Sequence, residues 1–117
     1  MGAESIVYAA LNVGSVTALV GQNIFPDVLP QDKDLPAVVY SRAETTYLTT
    51  IHSMAVLGSD VTVEVYCMGL TKTAADGLAD VVEVALAQAQ IRLTGRRPDY
   101  SEETATFATI LTCEVWT

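Results

Sequence analysis

The sequence is short of the side chains on which most site chemistry depends. In 117 residues there is one histidine, His52, and there are two cysteines, Cys67 and Cys113. A nucleophile-and-base site normally draws on histidine, and His52 stands in a Thr-rich stretch with no motif that supplies it with a carboxylate partner. Neither cysteine has a second Cys or a His at metal-ligand spacing. Both lie in runs that read as strands, where buried free thiols are the expectation and a disulfide the minority reading. Gly14, Gly21, Gly58, Gly69, Gly77 and Gly95 never fall into the spacing of a dinucleotide fingerprint or a P-loop. They read as turns or caps, except Gly77, which stands early in a helical run and is expected to permit close packing. No catalytic residue, metal ligand set or cofactor is expected.

Basic residues are also few: six Lys and Arg stand against fourteen Asp and Glu, a formal net charge of −8. Free nucleic-acid binding needs clustered cations to neutralise phosphate, and the one adjacent basic pair, Arg96-Arg97, precedes Pro98-Asp99 in what reads as a turn. The aromatics Tyr40, Tyr66, Phe107 and Trp116 are scattered without interleaved Lys or Arg, which suits core or interface duty and not base stacking. An acidic surface allows a different relation to DNA, since a negatively lined passage repels a polyanion and lets it slide. The carboxylates Asp76, Asp80 and Glu83 share helical spacing but lack the folded loop that a Ca²⁺ site requires, so they read as a solvated helix face.

No apolar run approaches the ~20 residues that cross a bilayer. The start, Met1-Gly2-Ala3-Glu4-Ser5, has no basic region followed by an apolar one. The expectation is a soluble protein, intracellular when made, without membrane contact.

What is present is a foldable core. Half of the residues are apolar and 17% are charged, the balance of a globular chain, and the length suits one domain over residues 1–117. Ile6, Val7, Ala10 and Leu11 share one face of a helix from Ala3 to Leu11, after which Ser15 could cap a short second turn through Val16, Leu19 and Val20. Ile24-Phe25-Pro26 and Val28-Leu29-Pro30 make an extended, proline-punctuated piece. A strand runs from Ala37 to about Glu44.

Residues 45–60 lack a sustained period; their β-branched content suits either a hairpin arm or a long flexible loop. In Val61–Cys67 the residues Val61, Val63, Val65 and Cys67 point one way while Thr62, Glu64 and Tyr66 point the other. Thr71 or Thr73 can cap the next helix, whose stripe Ala75, Leu78, Ala79, Val82, Leu86 and Ala89 ends near Gln90. A last strand alternates through Phe107, Thr109, Leu111, Cys113 and Val115. Strands with helices gathered on one face give an α+β fold: a mostly antiparallel sheet, two main helices packed on one side, and a long flexible β-arm or loop.

In this order, several pieces resemble a phage family. They are the N-terminal helix, Ile24-Phe25-Pro26 with Pro30-Gln31, Leu35-Pro36-Ala37-Val38-Val39-Tyr40, the strand Val61–Tyr66, the helix with Ala74-Ala75 and Leu78-Ala79, and a terminal strand after Glu102-Glu103. Together they look like the tail-completion proteins of long-tailed phages, also called tail terminator or tail-to-head joining proteins. The resemblance covers nearly the whole chain and rests on structural patterns, not on invariant chemical residues.

It implies a non-enzymatic virion subunit, made in the host cytoplasm, that forms a homo-oligomeric ring, a hexamer, at the head-proximal end of the tail. There it would end polymerisation of the tail-tube protein and present a face to the head connector or head-completion protein, with genomic DNA only as passing cargo. Another neck component or the tube subunit itself is the alternative, and an acidic ligand-binding module a more distant one. For such a ring the apolar arm residues Tyr47, Leu48, Ile51, Met54 and Leu57 are the candidate oligomer or tail-tube interface, being more apolar than a free loop should be. The arm is expected to be mobile in a lone copy and ordered in the assembly.

Overall fold

Period-2 segments for a sheet and one long period-3.6 segment to cover it are what the core assembles around. The computed structural model describes residues 2–30, 34–49 and 56–116. Among these, the chain forms α1 (Ala3–Leu11), α2 (Gly14–Val20), β1 (Ile24–Pro26), β2 (Ala37–Thr49), β3 (Val56–Gly69), α3 (Lys72–Gln88), β4 (Arg92–Ser101) and β5 (Thr106–Trp116). The strands make one sheet in the order β1-β2-β3-β5-β4. All neighbours are antiparallel except β1 and β2, which run parallel with Ile24 opposite Val38. The fold is thus α+β with a mostly antiparallel sheet.

The alternation of β3 sets the core face. Val61, Val63, Val65 and Cys67 are buried, and their partners Val115, Cys113, Leu111 and Thr109 on β5 are buried with them. Helix α3 lies on β3 and β5, α1 lies on β2, and both α1 and α2 pack against α3. The α3 stripe of Leu78, Ala79, Val82 and Leu86 meets Val7 and Leu11 of α1 and Val16 of α2 in one cluster. Burying side chains such as these contributes roughly 1.5–3 kcal/mol each before chain entropy is charged against it.

Local signals explain the element ends. The Thr71 hydroxyl accepts the Ala74 N–H at 3.0 Å and caps α3, so Thr71 and not Thr73 holds that role; such a cap contributes about 1 kcal/mol. Gly21 ends α2 at φ 62°, a left-handed conformation that glycine adopts without a Cβ clash. The Leu35–Pro36 peptide, just before β2, is cis.

The structure corrects several expectations. Ser15 does not cap α2: Val13 holds the cap position, with no side-chain bond. Leu19, placed with Val16 and Val20 in the second turn, is 47% exposed, whereas Val16 and Val20 are buried. Gly77 does not mediate close packing, since a Cβ there would meet no atom within 4 Å. Strand β2 continues past Glu44 to Thr49.

The Arg96-Arg97 turn is instead the middle of β4, an exposed edge strand. Edge position is what lets Gly95 and Pro98 reside in a strand, because an edge residue can lack an N–H or a side chain without breaking a central ladder. Asp76, Asp80 and Glu83 are not merely solvated: Arg96 reaches across from β4 and binds Asp80 at 2.8 Å and Glu83 at 3.0 Å, with Asp76 at 3.8 Å.

Candidate assembly surface

The candidate surface starts from the pairing of β2 with β3. Beyond Tyr40, the last partner of β1, and beyond Asp60, the last partner of β5, these two strands are paired only with each other among the described residues. The ladder continues through Thr45–Val61, Tyr47–Ser59 and Leu48–Gly58 to Thr49–Val56. Of the two readings of residues 45–60, the hairpin arm is the one observed for the residues described. It projects from a body that is otherwise compact, and the molecule measures 52 × 30 × 24 Å.

Of the five residues expected at the interface, Tyr47 and Leu48 stand on β2 and Leu57 on β3. The register shifts between Leu48 and Thr49, so Leu57 is the extra residue of a bulge between the Leu48–Gly58 and Thr49–Val56 pairs. Ile51 and Met54 lie outside the described residues. The backbone therefore gathers three of the five on one hairpin.

Trp116, named in the sequence only as a scattered aromatic, stands at the root of that arm. It pairs with Asp60 as the last residue of the β3–β5 ladder and is 58% exposed. Its indole lies over Gly58, and a Cβ at residue 58 would collide with the ring. The glycine is thus a seat for the tryptophan, a relation that only the strand register reveals.

Reactive groups are sealed away from this surface. Cys67 and Cys113 are free and buried. Burial pushes the Cys67 thiol up to about 12, with the nearby Arg96 pulling against it, and pushes Cys113 up to about 11. A thiol held in this way remains protonated and is a poor nucleophile at neutral pH. Among the described residues no group of three or more His, Cys, Asp and Glu is placed to hold a metal ion. None of the described helices is by itself long and apolar enough to cross a membrane.

The basic pair is divided between the two faces of the sheet. Arg96 and Arg97 are adjacent on a strand and so point to opposite sides. Arg96 binds the α3 carboxylates, and Arg97 binds Glu64 at 2.6 Å. Each guanidinium is engaged by carboxylate, so the two do not form a phosphate-binding patch.

The described residues thus form a mostly antiparallel sheet with helices packed against it, buried thiols and a projecting hairpin. The comparisons with known proteins give the chain its family. Residues 4–117 match the family described as "Tail completion protein gp17", and the chain belongs to that family. It is a structural protein of the virion tail. Among solved structures, it is similar to a chain of the virion of a native gene transfer agent (GTA) particle, with a TM-score of 0.58 and 18% identity over 97% of this chain and 92% of that one. That likeness is one of fold. No curated protein matches the sequence.

Proposed function

We propose that copies of this chain close into a ring, a hexamer, at the head-proximal end of the tail, where the ring ends polymerisation of the tail-tube protein and offers its other face to the head connector. The observation that carries this reading is the match to the tail completion family over residues 4–117. The likeness of fold to a chain of a gene transfer agent virion supports it. The hairpin with Tyr47, Leu48 and Leu57, continued in sequence by Ile51 and Met54, is the proposed contact with neighbouring copies or with the tube. Such a projecting element can supply one side of a contact between two unlike surfaces, and a contact of that kind repeats around an axis until it closes. The chain's net charge of −8 is compatible with a lumen that repels DNA and lets it pass without adhering.

Electron microscopy of the purified protein tests the reading. Discrete rings of one size, whose intact mass is six chains, are the expected result. Long hollow rods would instead mark a tube subunit and overturn termination as the role.

A further inference from the structure

The end of the molecule opposite the arm carries an apolar groove of about 470 Å³. Its walls are Leu19 of α2, the Leu35-Pro36 segment, Leu70, and the Ala74, Gly77 and Val81 positions of α3. Leu19 is 47% and Leu70 68% exposed, so large apolar surface is left uncovered there. At Gly77 the helix is lowered to its backbone, and the space a side chain would occupy is open. No residue lining the groove is ionisable.

We infer that this groove receives the β2–β3 arm of a neighbouring copy, an inference that rests on the ring reading above and names the surface on which the ring closes. Three observations converge on that occupant. The first is position: the arm is at the Val56 end of β3 and the groove at its Gly69 end. A strand of that length spans about 40 Å at ~3.3 Å per residue. The ladder to β2 holds the arm pointing away from its own groove, so it reaches only the groove of another copy.

The second observation is charge. Residues 45–59 contain no Asp, Glu, Lys or Arg, in a chain whose net charge is −8. Arm and groove are both uncharged and both apolar, so a contact between them does not set acidic surface against acidic surface. The third is shape: two concave grooves cannot fill one another, but a projecting two-stranded hairpin is convex. Arm and groove are unlike surfaces, so each copy donates one arm and accepts another, the head-to-tail contact that closes into a ring.

Cross-linking between variants tests the contact. Tyr47→Cys and Leu48→Cys, at adjacent positions of the arm, are each mixed with Gly77→Cys and treated with a short bifunctional maleimide. The buried native thiols stay out of the reaction. Covalent dimers should form in at least one mixture and at least tenfold less with any single variant. Gly77→Trp, which fills the groove from a position with free space, should keep its melting temperature and lose assembly. Rings of wild-type mass that give no mixed dimer, or that survive Gly77→Trp, overturn the arm-in-groove contact and leave the ring reading standing. Wild-type protein that stays monomeric at every concentration overturns both.

Discussion

Cys67 and Cys113 show at the smallest scale how the strands are built. Each occupies an inward position of an alternating run, Cys67 opposite Thr109 and Cys113 opposite Val63, and the Cys113 Sγ–H donates to the Val63 carbonyl at 3.3 Å. Because burial disfavours the thiolate, the folded chain keeps protons that the unfolded chain releases above its ordinary value near 9. The stability these thiols contribute is therefore complete below pH 9 and is lost as pH rises toward about 11 for Cys113 and about 12 for Cys67. Each thiol removes roughly 1.4 kcal/mol per pH unit across that window. Tyr40, raised chiefly by burial, adds to the fall in the same direction. Urea melts from pH 8 to 11 should show this decline, and Cys67→Ala should flatten it while lowering stability at pH 7. An equal slope in the variant would mean that another group governs alkaline unfolding.

The elements differ in how far their sequences announce them. Where one face is buried and the other wet, as in Ala3–Leu11, Val61–Cys67, the α3 stripe and Phe107–Val115, the apolar period is strong and the structure follows it. Strand β4 has no such period because almost every residue from Arg92 to Ser101 is exposed, and Gly95 and Pro98 are common in turns. Its place comes from tertiary contacts instead, the ladder to β5 and the Arg96 clamp on α3. The Asp80 hydrogen bond, then that of Glu83, raises the Arg96 guanidinium further above its already high range. Since Arg96 is one-third and Asp80 about two-thirds exposed, solvent screens much of this attraction. Arg96→Ala should cost about 1 kcal/mol, lowering the thermal midpoint by a few degrees, and the loss should shrink in 0.5 M salt. A loss that salt leaves unchanged would point to packing by the arginine stem as the main contribution.

At the scale of the whole molecule, the surfaces were less legible than the core. The apolar content of residues 45–60 marks an arm, but the groove proposed to receive it is assembled from α2, the Leu35-Pro36 segment, Leu70 and α3, pieces that meet only in the fold. Trp116 on Gly58 is hidden for the same reason, since it depends on the register of β5 against β3. Charge supplies the remaining test. Copies that each carry −8 repel, and an assembly closed by uncharged arms in uncharged grooves gains nothing from ion pairs across the contact. Salt shortens the range of the repulsion, from ~10 Å at 0.1 M to ~3 Å at 1 M, while leaving apolar contact intact or stronger. The concentration for half-assembly, followed by light scattering, should thus fall between 0.05 and 0.5 M sodium chloride. An interface held by salt bridges would move the other way, and a rise in that concentration would transfer the contact from the neutral arm to the charged strand edges.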